Sequence, residues 1–393
     1  MFELTGQQKE AGDKLKHWWF NPHDRERNYF EISGPPGSGK STMLYHIMKE
    51  LDIDPKQVVY AAYTGKAALN LTLKKCPTKT IHSIIYRLEF VDKLDSRGKP
   101  MIVKGKIAKI ARFRKRYELD EGLRAIVIDE GSTINEKMGK ELLSFGIPLI
   151  ILGDIDQLKP IYGESFFLRD PDVILTEILR QKEDDPIIQL SQTILHELPI
   201  AYGQHGPNCF VIKKEDITDA MLQTADIVIC GKNKTRAEIN AHIRENIYGR
   251  APKTLVLGDK IICRQNNWGI TITKDISLIN GLVGFVTSIH SETYNKKEQS
   301  IEIDFRPDFT DIEFKDIKID LNFLYGNTNK DSILNFKKTD MNLFEYGNAI
   351  TCHLAQGSQY GNVLVYSERM GSDYKRWLHT AVSRAEWGLT LAL

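Results

Sequence analysis

The residues Gly34-Pro-Pro-Gly-Ser-Gly-Lys40-Ser41 fit the spacing G-x-x-x-x-G-K-[ST]. Glycines in such a loop let backbone N–H groups converge on phosphate oxygens, and a helix starting at its end adds favourable partial charge. The spacing selects Gly34, Gly37, Ser38, Gly39, Lys40, Ser41 and Thr42 as a phosphate cradle. Lys40 would reach the β- and γ-phosphates, and Ser41 would ligate magnesium. A second candidate, Asp129-Glu130, ends the apolar run Ala125–Ile128. There a parallel sheet delivers side chains to a phosphate site. Asp129 would hold magnesium through water, and Glu130 would be the base for an attacking water. Alone, an Asp-Glu after a strand is a solvated loop; the upstream cradle turns the pair toward chemistry.

These residues need a sheet to position them, and the chain supplies one. Tyr29–Ser33 reads as a short buried strand just before the loop, and Met43, Leu44, Ile47, Met48 and Leu51 follow at helical spacing. Val58–Ala62, Ile126–Ile128 and Leu149–Leu152 read as further strands, an order that predicts a parallel sheet covered by helices. Residues 86–120 change character. From Arg97 to Arg116 there are nine basic residues and no acidic one, and Arg97-Gly98-Lys99-Pro100 suits a hairpin turn. That segment reads as an insertion; the alternative is a solvated helix face.

A second α/β set starts near residue 171. Ile227–Cys230, Asn362–Tyr366 and Leu389–Leu393 read as its strands, and Ile239, Ile243 and Ile247 as a helical stripe. Within it, residues 256–345 alternate like strands, with Ile301, Ile303 and Phe305 set against Glu302 and Asp304. A small inserted antiparallel unit, a barrel, is expected there.

Composition bounds the class. The 393 residues suffice for two or three domains, and 41% apolar with 27% charged residues excludes disordered and coiled-coil chains. With 53 basic against 52 acidic residues, whole-chain charge is silent on nucleic acid. No apolar run approaches a membrane span, and residues 1–20 do not read as a secretory signal. The five cysteines lie far apart without Cys-x-x-Cys, as expected for reduced thiols in cytosol.

Further motifs, taken in order, carry a resemblance. Leu4-Thr5-Gly6-Gln7-Gln8, Ala62-Tyr63-Thr64-Gly65-Lys66-Ala67-Ala68 and Thr80-Ile81-His82-Ser83 flank the cradle and its second strand. Gly153-Asp-Ile-Asp-Gln157-Leu-Lys-Pro160, Leu175-Thr-Glu-Ile-Leu-Arg180-Gln181 and Asn233-x-x-Arg236-x-x-x-Asn240 follow. Asn280-Gly281-x-x-Gly284, Thr351-Cys-His353-Leu-Ala-Gln356-Gly357-Ser358-Gln359 and Thr380-Ala-Val-Ser-Arg384-Ala385 complete the set. Together these resemble the superfamily 1 DNA helicases of the RecD-like and Dda-like group, which move 5′→3′, over nearly the whole chain. Gln157 followed by Leu158-Lys159-Pro160, and the presence of Asn280-Gly281, favour this group over the UvrD-like one of opposite polarity. Gln359 departs from the family's usual Glu, which removes a charge from that motif.

The resemblance implies an α/β fold of two RecA-like P-loop motor domains, parallel sheets with flanking helices. It divides the chain into a first motor at 1–85 and 121–170, with 86–120 as a basic, strand-separating hairpin. A second motor falls at 171–255 and 346–393, with 256–345 as the inserted small β-barrel. ATP and Mg2+ are the implied cofactors. Gln8 would read adenine, Gln157 sense the γ-phosphate, Arg180 and Arg384 act as arginine fingers, and Gly357 line the nucleotide. Thr64, Gly65, Lys66, Thr80, His82, Asn233, Thr351 and His353 would touch DNA. The expected partners are single-stranded and forked duplex DNA and a single-strand-binding or replication protein. A cytoplasmic monomer of bacterial or phage source is expected, with no membrane. Two other readings compete: an ATPase switch or remodeller stimulated by nucleic acid, and an ATP-binding subunit of a nuclease complex. Pro307-Asp308 with Glu313-x-Lys315 imitates a nuclease pattern but suits charged strand faces better, and Trp18 and Trp19 suit packing better than base stacking.

Overall fold

The computed structural model describes residues 4–393 except 64, 74–77, 93, 95–97, 101, 104–105, 108, 161–162, 178–184, 274–275, 295–298 and 328–340. The first sheet has six parallel strands. Their spatial order is Val173–Ile174, Tyr29–Ser33, Leu149–Gly153, Ala125–Asp129, Val58–Ala62 and Thr78–Thr80. The central strands are apolar on both faces, as a sheet covered on both sides demands. Gly6–Phe20 and Lys40–Glu50 cover one face, with Leu15, Met43 and Ile47 packed on Ile32, Val127 and Ile150. Ile81–Ile85 and Glu136–Leu143 cover the other, around Ile126, Ile128 and Ile151.

Register explains why the chemistry collects on one edge. Ser33 stands opposite Gly153, and Ala62 stands opposite both Asp129 and Thr80. The phosphate loop, Asp129-Glu130, the Asp154 loop and Thr80 therefore all leave the sheet from the carboxyl ends of their strands. Ligands bind at that edge in parallel α/β sheets.

The second sheet also has six strands. Gly203–Gly206 pairs antiparallel with Cys209–Ile212; from there Ala385–Ala392, Tyr360–Tyr366, Ile227–Cys230 and Ala349–Thr351 follow in parallel. Pro186–Leu195 and Tyr374–Val382 share one core around Trp377. On the opposite face the helix Asn233–His242 runs into a π-helical turn at Ile243–Ile247, and the isoleucine stripe packs on Val228, Ala349 and Leu364.

Two further pieces interrupt these sheets. Phe314–Asp320, Gln299–Pro307, Val283–Tyr294, Lys260–Cys263 and Phe344–Tyr346 form a five-stranded antiparallel sheet. Phe305, Phe314 and Phe344 fill its core, with ring centroids 6.1 and 5.1 Å apart. Ile312, two residues before the Phe314–Asp320 strand, is exposed. Lys315 Nζ lies 2.8 Å from Asp304 and 2.5 Å from Glu313, so two of the nuclease-like residues, Glu313 and Lys315, are paired with each other. The basic segment holds two antiparallel strand pairs, the longer one a ribbon and the shorter one Ile102–Val103 with Lys106–Ile107, and no helix among the described residues. Tyr86–Asp92 pairs antiparallel with Lys109–Lys115, and a bridge from Leu94 to Pro100 closes around Gly98, whose φ is 75°. Arg97 and Lys104 lie outside the described residues. Trp19 is buried, and Arg25 stacks on Trp18 with its guanidinium 4.2 Å from the ring centroid, so this pair packs the first unit. Among the described residues, no helix is long and apolar enough to cross a membrane.

One buried carboxyl sits in the strand that leads to the phosphate loop. Glu31 is 1% exposed, accepts the Leu168 N–H at 2.7 Å and faces Arg27 at 3.3 Å. Burial outweighs both contacts, with Asp172 and Asp170 adding to it, and pushes the Glu31 pKa from 4.5 up to about 7. The folded chain thus holds a proton that the unfolded chain releases between those two values. The stabilisation is complete below pH 4.5 and is lost as pH rises through 7, an effect of roughly 3 kcal/mol. Glu31→Gln should flatten that pH dependence in urea unfolding at pH 5 and 7.5. A variant with the same fall in stability as the parent rejects the assignment.

Candidate nucleotide and nucleic-acid site

The phosphate loop is built as its glycines require. Gly37 and Gly39 have φ of 87° and 75°, a region costly for any residue with a Cβ, and Gly39 precedes the first turn of Lys40–Glu50. A Cβ on Gly34 would lie 2.9 Å from the Leu175 carbonyl, and the Gly34 N–H donates to Gly153 at 3.0 Å. Lys40 Nζ folds over the loop, 2.5 Å from the Gly34 carbonyl and 2.9 Å from that of Pro35. Ser38 is buried, whereas Ser41 and Thr42 are exposed in the helix's first turn. Gln8 is buried against the loop. Its amide nitrogen donates to the Ser38 carbonyl at 3.2 Å, and its amide oxygen accepts the Thr5 N–H at 3.3 Å in a capping box.

Around Lys40 the charges are mixed. Burial lowers its pKa, while Asp154, Asp129 and Glu130 favour its charged form. Burial also raises the Glu130 pKa; Asp129 reinforces the shift, and Arg384 and Lys40 oppose it. Glu130 is a non-glycine residue at φ 56°, and Asp129 Oδ1 accepts its N–H at 2.9 Å. A strained, charge-crowded carboxyl beside a phosphate loop is the expected setting for a base. The hydroxyl of Ser41 and the carboxylate of Asp129 are oxygen donors of the kind magnesium takes.

The second α/β unit reaches this site through one loop. Leu158 belongs to the segment after Leu149–Gly153, yet it is buried in the second unit's core with Leu190, Trp377 and Leu378. Its N–H donates to Thr380 Oγ1 at 3.0 Å, and its carbonyl accepts from Gln356 Nε2 at 3.2 Å. Next to it the side-chain oxygen of Gln157, 4% exposed, has no hydrogen-bond partner among the described residues. A buried polar atom left so is costly unless something else satisfies it, and a phosphate-bound water or metal ligand would. Arg384 is 3% exposed and donates to the carbonyls of Thr380 and Ser358 at 3.1 and 3.3 Å. A cavity of about 380 Å³ opens between the units, lined by Pro35, Pro36 and Gly37 on one side and Ser191, Gln359 and Trp387 on the other. Gly357, at φ 73°, makes the turn before Gln359.

The nucleic-acid candidates divide. Thr80 is buried and accepts the Ser83 N–H at 3.3 Å, capping a short helix. His82 lies between Tyr63 and Tyr86, 6.2 and 5.8 Å from their ring centroids. Gly65 is there for close approach: a Cβ would lie 2.8 Å from Ile279 Cβ, and Leu69 of the same helix joins the antiparallel unit's core. Lys66 follows Gly65 in the helix Gly65–Leu73. Asn233 is exposed at the start of its helix; Thr351 ends the Ala349–Thr351 strand, and His353 follows in the short helix Cys352–Ala355. Arg236 and Asn240 are structural. Arg236 holds Glu345 of the antiparallel sheet, and Asn240 exchanges two hydrogen bonds of 2.9 Å with Ala349. Arg180 and Thr64 lie outside the described residues. The motifs missed His379, whose Nε2 lies 3.3 Å from Asp154; no spacing rule connects residues 225 positions apart.

Residues 20–205 match the family model of an AAA domain, and residues 346–392 that of the UvrD-like helicase C-terminal domain. The ATP-dependent RecD2 DNA helicase of Deinococcus radiodurans is 25% identical over 47% of this chain and 24% of its own length. An uncharacterised protein of Methanocaldococcus jannaschii is 24% identical over 90% of this chain and 36% of its own length. The chain thus spans about a third or less of the curated relatives it matches. Among solved structures, Bacteroides Pif1 bound to ssDNA has a TM-score of 0.57 at 16% identity, covering 100% of this chain and 93% of that one. Pif1 helicase from Candida albicans has a TM-score of 0.57 at 16% identity, covering 100% and 94%. At that identity the likeness is one of fold.

The raised pKa of Glu130 gives a signed expectation. Its carboxylate must be ionised to accept a proton, so turnover of a nucleoside triphosphate should fall, on acidification, at a pH above the ordinary carboxylate range. Glu130→Gln should keep nucleotide binding and lose phosphate release, whereas Lys40→Ala should weaken binding itself. Labelled-nucleotide binding and phosphate release, measured on both variants, separate the roles. Normal turnover in Glu130→Gln would remove it as the base.

Proposed function

We propose that this chain, similar to an AAA domain and a UvrD-like helicase C-terminal domain in family models, to a RecD2 helicase in sequence and to Pif1 in fold, is an ATP-driven DNA helicase of the 5′→3′ group. It hydrolyses ATP to translocate 5′→3′ on single-stranded DNA and to open duplex ahead of it. The observation that carries the reading is the junction at Leu158, where the loop beside the phosphate cradle is rooted in the core of the second unit. A cleft joined in this way can turn a change at the phosphates into a movement of one unit against the other.

In this reading residues 1–85 and 121–170 are the first motor and residues 171–255 and 346–393 the second. The antiparallel sheet within 256–345 is a small barrel. Bound ATP would lie along Gly34–Thr42, with magnesium on Ser41 and Asp129 supplying charge neutralisation at the phosphates. Glu130 takes the proton of the attacking water, and Gln157 orients that water with its unpartnered oxygen. Arg384 crosses the cleft to the developing charge, with Arg180 as the second cation. Gln8 exchanges its hold on Ser38 for the adenine edge. Thr64, Lys66, His82, Asn233, Thr351 and His353 follow the single strand across the two carboxyl edges. Thr80 and Gly65 act there through the backbone they shape. Opening one base-pair step costs about 1.4 kcal/mol, so a modest closure suffices.

The ribbon of residues 86–115 is the element that parts the strands. Its basic residues hold phosphates, and the partners are single-stranded and forked DNA and a replication or single-strand-binding protein, with the chain acting as a monomer. Changing Lys104, Lys106, Lys109 and Arg112 to Gln should flatten the plot of log K against log salt by about 2.8 on single strands, 0.7 per phosphate contact. An unchanged slope with normal unwinding returns the ribbon to a solvated surface.

Strand displacement on 5′-tailed and 3′-tailed forks, run in parallel with ATP, tests the function. The 5′-tailed substrate should be unwound and the 3′-tailed one left intact. ATP hydrolysis stimulated by DNA with neither fork opened would make the chain a switch or remodeller.

A further inference from the structure

Asp154 leaves the first sheet directly after Leu149–Gly153, and its carboxylate meets a histidine of the other unit. His379 Nε2 lies 3.3 Å from Asp154 Oδ2, and His379 Nδ1 lies 2.8 Å from Ser191 Oγ. Asp154 and His379 are 3% and 1% exposed. The other Asp154 oxygen accepts the Asp156 N–H at 2.9 Å. The connection therefore runs from the helix Pro186–Leu195 through the helix Tyr374–Val382 to the edge of the first sheet.

A histidine that only fills a core finds its partners within that core. His379 takes one partner from each unit, and the partner across the cleft neighbours Lys40. Burial works against an ionised Asp154, but His379 and Lys40 outweigh it and hold the Asp154 pKa below the ordinary range. Asp154 in turn leads the groups that favour the Lys40 ammonium. His379 is thus held at both ring nitrogens, by Asp154 on one side and by Ser191 on the other. Separating the units would strip this carboxylate of its buried partner, so the contact needs the two units together as they are here.

We propose that His379 is a positioning residue for ATP hydrolysis: by holding Asp154 from the second unit, it makes the setting of Lys40 depend on closure of the cleft. This rests on the ATPase reading above. His379 lines the cavity beside the cradle, and its bonds run to Asp154 and Ser191, so it acts through Asp154.

Two substitutions separate the ends of the ring. In His379→Gln the side-chain amide reaches where Nε2 stands and keeps the Asp154 contact. In His379→Asn it reaches only where Nδ1 stands, keeping Ser191 and losing Asp154. Steady-state ATPase of the full chain, with saturating oligo-dT and without it, is compared for both variants and for Asp154→Asn. His379→Asn should lower the DNA-saturated kcat by roughly 10- to 100-fold, the scale of a misplaced catalytic group, with KM for ATP little changed. His379→Gln should stay within about threefold of the parent, and adding His379→Asn to Asp154→Asn should cost little more, because the two act as one unit. Thermal midpoints accompany each variant. If His379→Asn does not fold, His379→Ala, which loses both contacts, carries the same test alone and on the Asp154→Asn background. Equal loss in Gln and Asn variants, full additivity with Asp154→Asn, or a defect confined to KM overturns the proposal. A parent chain without ATP turnover overturns the function itself, a different result from a working parent with indifferent variants.

Discussion

Leu158 is anchored in the core of a unit to which its own strand does not belong, and much of the molecule depends on that anchorage. The residue is buried, and both its backbone polar groups are bonded across the cleft, to Thr380 and to Gln356. Pulling it free would expose a leucine side chain, worth about 1.5–3 kcal/mol in transfer alone, and would leave two backbone groups to be resolvated. Such a contact is strong enough to define a closed state and weak enough for phosphate chemistry to oppose. The segment Gly153–Leu158 therefore joins three functions within a few residues. Its first residue bonds the phosphate loop, Asp154 sits among the charges around Lys40, and Leu158 grips the other unit.

The charges about the cradle make sense only with the units together. Lys40, Arg384, Asp129, Glu130 and Asp154 influence one another, and burial moves the charged forms in the unfavourable direction on both signs. A crowded group of this kind is expensive to assemble and is stabilised by mutual pairing. Adding a polyanion with its divalent cation would shift every member at once. Arg384, now held by carbonyls of its own unit, has its donors within reach of a new acceptor without leaving the interface.

Much of this was legible in the chain. The strands Tyr29–Ser33, Val58–Ala62 and Ile227–Cys230 fall where apolar runs bounded by turn residues place them, and the site residues follow those strands in sequence. Short-range patterns of this sort are written locally, so they can be read locally. What could not be read lies between units. The His379–Asp154 and Leu158–Thr380 contacts join residues more than 200 positions apart, and nothing in either neighbourhood announces the other. Gly65 shows a subtler limit. A glycine in a nucleic-acid motif suggests backbone contact with a ligand, yet its missing side chain also makes room for Ile279. Arg236 and Asn240 are similar: their spacing matches a motif, and their hydrogen bonds serve the fold.

Gly65 and Ile279 also show why an inserted antiparallel unit need not be a passenger. The helix Gly65–Leu73 starts just beyond the Val58–Ala62 strand, at the same edge as Asp129, and its Leu69 is buried in the antiparallel unit's core. Arg236 ties that same unit, through Glu345, to a helix of the second α/β unit; Arg244 adds a fully buried pairing to Asp259, which Arg250 joins from a partly exposed position. The antiparallel sheet therefore touches both α/β units, by close packing on one side and by ion pairs on the other. Packed cores shift between discrete arrangements rather than deforming smoothly. A rotation of one α/β unit against the other must then be accommodated at the Gly65–Ile279 contact or at the Arg236–Glu345 pair. Close packing resists separation but permits sliding, whereas a buried ion pair loses most of its energy when its geometry is broken. The antiparallel sheet is thereby expected to travel with the second unit and to slide over the helix that begins at Gly65.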